Sequence, residues 1–258
     1  MNTIIHEDVF RFLEIQAPPE TAAEWDHVGL MIGDRKEVTT SVVVSLDADD
    51  KSLAQCRKTG ANLLVTHHPM IFRPLQVIDY QTPAGRRLRE FIRDGITVFS
   101  AHTNLDKADL GVNKALAAAI GLSEDKALEA AEYGRAGYVD ETRLRLFAKK
   151  IAKDLGAGSV QTIGEGDPMV RKVFVCGGAL DSELFPALFA DGIDTVVTGE
   201  AGYHDMADLL DHGIRVLAVG HDVSERVILE PLAQRLRENF PGLGVAVARG
   251  FVYNGNVF

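Results

Sequence analysis

Thr66-His67-His68-Pro69 places two adjacent imidazoles directly after an apolar run, Ala61-Asn62-Leu63-Leu64-Val65. The same half of the chain offers His102 and Asp106 after a second apolar run. The other half offers Glu200 with His204, then His221 with Glu225. Five of the eight histidines fall at or just after segments that read as strands, leaving His6, His27 and His212 elsewhere. Imidazole nitrogen with carboxylate oxygen is a ligand set for zinc, manganese or Fe(II). Thiolate-rich structural zinc is excluded, because the two cysteines, Cys56 and Cys176, are isolated from each other. Successive side chains on a strand point to opposite faces, so His67 and His68 read as serving two neighbouring ions from the strand's end. A carboxylate such as Glu225 or Asp106 would bridge the ions and offset their charge. His67, His68, His221 and Glu225 carry the metal reading most strongly. His102 and His204 stand open between ligation, orientation of a ligand and proton transfer.

These residues need elements to aim them. A helix is expected at 6–16, with Val9, Phe10, Leu13 and Ile15 as its apolar stripe, ending before Pro18-Pro19. SVVVSLDA at 41–48 reads as a strand, 50–59 as a helix stopped by Gly60, and ANLLVT as the next strand. That alternation predicts βαβ units around a parallel sheet. A helix near 83–94 precedes the strand GITVFSAH, and GVNKALAAAIGL reads as a further helix. In the middle, an amphipathic helix is expected from about 140 to 155 and a short strand around SVQTI. Gly177-Gly178 reads as a tight turn between strand and helix, since the spacing of a phosphate-binding glycine motif is missing.

The last third parallels the first. KVFVCGGALDSELFPALFADGIDTVVTGE follows the plan of SVVVSLDADDKSLAQCRKTGANLLVTHHP, and HGIRVLAVGHDVSE that of DGITVFSAHTNLD. In both downstream pairs a carboxylate follows the strand-end histidine by four residues. The expected fold class is therefore α/β, with two similar lobes and a metal site in the cleft between them. The first lobe is placed at 1–125 and the second at 126–258, with a C-terminal helix or strand able to pack back on the first.

Composition narrows the class further. A chain of 258 residues that is 46% hydrophobic can bury a substantial core, and a formal charge of −10 argues against nonspecific affinity for nucleic acid or anionic membrane. No stretch approaches the roughly 20 apolar residues of a spanning helix, and the start lacks a signal-peptide pattern. With two separated cysteines, a cytoplasmic location is expected. Nucleophile motifs for acyl transfer are missing.

AEWDHVGLMIG, THHP followed by Ile71-Phe72, SAHTNLD, TGE with YHD, and GHDVSE together closely resemble the NIF-three-like family, also known as GTP cyclohydrolase I type 2 homologues. The resemblance runs over nearly the whole chain. It implies two α/β lobes around a dinuclear site, a hexameric ring built as a trimer of dimers, and ligation by His67, His68, Asp106, His221 and Glu225, with Glu225 bridging. His102 and His204 correspond to positions close to that site. The chain departs from the family in having His27 where an asparagine is common, Asp222 where an aromatic is frequent, and an altered glycine-rich turn, GGALDS. None of the three departures removes a ligand.

The leading expectation is a hydrolase using two divalent ions (Zn, Fe or Mn) on a nucleotide or related small molecule, with His102 or His204 moving protons. Ring opening of GTP is what the resemblance implies. The rival, from another class, is a noncatalytic metal-binding scaffold or adaptor. A closed, purely structural site would not leave coordination positions for water or substrate, and turnover discriminates the two.

Overall fold

Strand β3 (Leu63–Thr66), the run that leads into His67, is buried along its whole length, and that burial on both faces is what a central parallel strand requires. The computed structural model describes residues 3–128 and 131–250. They divide into two compact units: one runs to Ala108 and resumes at Leu229, and the other is Asp109–Ile228.

The first unit opens with α1 (His6–Gln16), whose Val9, Phe10 and Leu13 are buried while Ile15 is exposed. Next come β1 (Gly29–Ile32), β2 (Ser41–Ser45), α2 (Asp50–Thr59), β3, α3 (Pro83–Arg93), β4 (Thr97–Ser100) and the short α4 (Thr103–Lys107). Caps explain why α2 occupies those residues. Asp49 Oδ1 accepts from the Lys51 and Ser52 amides at 3.0 and 2.7 Å, Ser52 Oγ accepts from the Asp49 amide at 2.9 Å, and Gly60 ends the helix at φ +68°. β2, β3 and β4 lie parallel and in register, with Val43 opposite Leu64 and Leu64 opposite Val98. β1 runs antiparallel along β4 as one edge.

The second unit holds α5 (Val112–Ile120), β5 (Ser123–Lys126), β6 (Arg135–Arg143), α6 (Leu144–Leu155), β7 (Gln161–Ile163), β8 (Met169–Ala179), α7 (Phe185–Ala190), β9 (Thr195–Glu200), α8 (Tyr203–Asp211), β10 (Arg215–Ala218) and α9 (His221–Glu225). Its six strands are ordered β5-β6-β8-β9-β10-β7, with β8, β9 and β10 parallel and the outer pairs antiparallel. One face is covered by Leu116, Ile120, Phe147 and Ile151, the other by Leu184, Phe185, Leu188 and Leu209. The amphipathic helix expected from 140 begins only at Leu144, because residues 135–143 pair with β8 as strand. Cross-strand pairing with a partner some thirty residues away leaves no local signal, so the antiparallel β5-β6-β8 arm is absent from the sequence reading.

The chain then returns to the first unit with α10 (Leu229–Asn239) and β11 (Gly244–Val247), which lies parallel to β2 and completes the order β1-β4-β3-β2-β11. Among the described residues no helix is long and apolar enough to cross a membrane.

Candidate metal centre

β3 ends at Thr66, so strand alternation does not separate the two histidines that follow. Beyond it the ladder continues through backbone bonds alone: the His67 amide donates to Ser45 O at 3.1 Å and the His68 amide to Leu46 O at 2.9 Å. Thr66 Oγ1 donates to His68 O at 2.9 Å, and Ala101, just past β4, donates to Thr66 O. The rings of His67 and His68 lie 5.0 Å apart, and His102 joins them at 5.2 and 5.7 Å. One ring nitrogen from each of the three falls within 4.8 Å of the others.

The outward nitrogens are all spoken for. His67 Nδ1 donates to Ala101 O at 2.9 Å, His68 Nδ1 to Asp47 Oδ1 at 2.8 Å, and His102 Nδ1 to Asp26 Oδ1 at 3.0 Å. A carbonyl or carboxylate oxygen can only accept, so each ring donates from Nδ1. That is the tautomer and support found behind metal-bound histidines. Asp106 sits in α4 with its amide on His102 O at 3.0 Å, and its Oδ1 lies 3.6 Å from His67 Nε2. Two donors held at ~2.1 Å from one ion stand about 3.0–3.4 Å apart. The His67–Asp106 pair is close to that spacing.

Asp26 organises the corner around His102. Besides holding the ring, its Oδ2 accepts from the Thr103 hydroxyl at 2.6 Å and the Thr103 amide at 3.1 Å, which caps the start of α4. Burial pushes the Asp26 carboxyl up, but the bonds from His102 and Thr103 outweigh it and hold the group well below the ordinary carboxylate range. The neighbouring His27 is exposed and donates its amide to Asp26 Oδ1.

In the second unit His221 opens α9 and Glu225 closes it, one turn apart. His221 Nε2 lies 3.1 Å from Glu225 Oε1, and His221 Nδ1 donates to Glu200 Oε1 at 2.9 Å. The helix lies close to the sheet because glycines clear the way. A side chain at Gly199 would place its Cβ 2.6 Å from Ser224 Oγ and 2.9 Å from His221 Cα, and one at Gly178 would come within 2.5 Å of Glu225 Oε1. Gly178 also adopts φ +68° and donates its amide to Ser224 Oγ at 2.9 Å. Gly177-Gly178 is therefore not a turn between strand and helix: both lie inside β8, at the irregularity between Cys176 and Ala179.

Two sequence candidates lie apart from these groups. His204 sits exposed in the first turn of α8, its ring edge-on to Tyr203 at 5.3 Å, and among the described residues it joins neither cluster. Asp222 pairs with Arg226 one turn on, at 3.6 Å. Sequence reasoning missed Asp47 and the role of Asp26, since a lone aspartate after a strand is ordinary turn chemistry. The signal for Gly178 and Gly199 was present in GG and TGE without the helix that needed them. Cys56, fully buried, has its thiol pushed by burial up to about 12, which removes it as a nucleophile.

Residues 5–252 match the sequence profile of the Duf34/NIF3 (NGG1p interacting factor 3) family. The chain belongs to that family. A Clostridium perfringens relative named GTP cyclohydrolase 1 type 2 homolog is 29% identical over 238 residues, spanning 90% of each chain. A Lactococcus lactis protein of the same name is 30% identical over 224 residues, 85% of this chain and 86% of its own. Among solved structures, a Staphylococcus aureus hypothetical protein superposes with a TM-score of 0.90 at 25% identity, covering 98% of this chain and all of that one.

Proposed function

We propose that the chain is a metal-dependent hydrolase with a dinuclear centre. His67, His68 and Asp106 come from the first unit and His221 and Glu225 from the second, and together they hold two divalent ions of the Zn, Fe or Mn type. The observation that carries this reading is the uniform state of four imidazoles. His67, His68, His102 and His221 each donate Nδ1 to an oxygen acceptor, the support found behind metal-bound histidines. Two similar lobes meeting at a shared cleft, where Glu225 would be the carboxylate serving both ions, is part of the same proposal and rests on the sequence parallel and the family resemblance. So does assembly as a trimer of dimers.

When bound, divalent ions supply Lewis acidity and a nucleophilic water at neutral pH. The chain's residues do the rest. His102, its ring fixed by Asp26, gives or takes a proton at Nε2 beside the reacting group. His204, exposed on α8, is proposed as the route for proton exchange with solvent. A small molecule of nucleotide type is the proposed substrate, because relatives carry the name GTP cyclohydrolase 1 type 2 homolog and the same donor set suits phosphoester or ring hydrolysis.

Turnover tests the reading. Protein loaded separately with Mn, Fe or Zn is assayed against nucleotides and phosphoesters, with His68→Ala and Glu225→Ala alongside. Hydrolysis by the wild type that both variants lose is the expected outcome. No turnover of any compound with any metal, while both variants lose metal, would leave a noncatalytic metal-binding scaffold.

A further inference from the structure

Trp25 and Phe72 are large rings left 60% and 47% exposed, a costly arrangement for residues that a core would readily accept. They are not scattered. Their centroids lie 5.8 Å apart with planes at 66°, and both pack edge-on to His102, at 6.1 Å and 74° for Trp25 and 6.2 Å and 82° for Phe72. His102 is in turn the ring that touches both His67 and His68. One imidazole thus has metal-type donors on one side and exposed aromatic surface on the other.

The corner is also held in place. Trp25 directly precedes Asp26, which is buried and bonded to His102 and Thr103, and the Asp26 amide donates to Ala23 O at 2.9 Å. Phe72 lies three residues beyond Pro69 of THHP, where backbone bonds from His67 and His68 fix the chain. Edge-on packing leaves Trp25 and Phe72 largely exposed, so flat surface stays available beside the donors. A planar ring stacks on such surface whatever its edge chemistry, and that interaction favours heteroaromatic over sugar or aliphatic groups.

We propose that Trp25 and Phe72 are specificity-determining residues on which a planar heteroaromatic ring of the substrate stacks while its reacting group reaches the centre beside His102. The inference rests on the hydrolase reading for what happens to the ring, but not for its binding. Trp25 is the only tryptophan of the chain, so its emission reports directly on the site.

The test titrates the metal-loaded full chain with GMP, and with ribose 5-phosphate as the ring-free control, following tryptophan fluorescence and, for Trp25→Leu, calorimetry. GMP should quench Trp25 saturably and ribose 5-phosphate should not. Phe72→Ala and Trp25→Leu should each weaken GMP binding by roughly 5- to 100-fold, the range of a lost base–aromatic stack, with metal content unchanged. Absent quenching by GMP, equal affinity for the two probes, or unaltered GMP affinity in both variants overturns the proposal. The two readings fail separately. GMP binding that depends on Phe72, with no turnover of any substrate, sinks the hydrolase and keeps the stacking corner. Hydrolysis of ring-free phosphoesters, with GMP affinity indifferent to both variants, does the reverse.

Discussion

At the scale of single residues, the centre depends on carboxylates that do not belong to the ligand set. Asp47 accepts from His68 Nδ1 and so fixes which nitrogen of that ring faces away from it. Asp47→Ala should therefore lower affinity for one of the two proposed ions by about 10- to 100-fold, the usual cost of losing such a support, with the fold intact. Competition with a chelating dye reads this directly, and unchanged affinity would show that His68 needs no orienter. His6 offers a separate test, far in role from the centre. It is fully buried, with Nδ1 2.9 Å from Thr39 Oγ1. Burial lowers its pKa against the opposing pull of Glu37 and Asp34. A depressed histidine pKa means the unfolded chain takes up the proton first, so stability is full above about pH 6.5 and is lost as pH falls toward the folded value. The slope from this group is at most about 1.4 kcal/mol per pH unit. Urea unfolding at pH 7.5 and 5.5 should show that loss in the wild type and a smaller one in His6→Gln. An equal loss in both would contradict it.

At the scale of elements, the sequence and the structure agree where the signal is local. α1 and α2 carry their apolar spacing and stops within themselves, and β3 and β4 end in Thr66 and Ser100, so THHP and SAHTNLD could be placed at strand ends from the sequence alone. Three things were not legible. β6 and β8 pair antiparallel across about thirty residues, which periodicity does not encode. Asp26 reaches His102 from 76 positions away in sequence. The tight seating of α9 on β8 and β9 depends on glycines that looked like turn residues. Gly199→Ala tests that seating, because its Cβ would press on Gly178 O, Ser224 Oγ and His221 Cα. α9 must shift, and a displacement of its ligands by a few tenths of an ångström or more should cost at least several-fold in metal affinity by calorimetry. Retained affinity would mean that the helix position does not set the site.

At the scale of the whole molecule, a formal charge of −10 works against attraction of an anionic substrate. Two divalent ions set among the carboxylates of Asp106 and Glu225 would reverse that field locally, which is why the proposed function depends on both ions being present. The first unit contributes three proposed ligands and the second two, and neither set alone serves two ions with coordination to spare for substrate. Metal stoichiometry is consequently the most direct measurement. Anaerobically purified protein, assayed by elemental analysis beside His68→Ala and Glu225→Ala, should carry about two Zn, Fe or Mn ions per chain, and each variant should lose one or both. A wild-type chain with no bound metal after such purification and reconstitution, or variants with the full complement, would contradict the account.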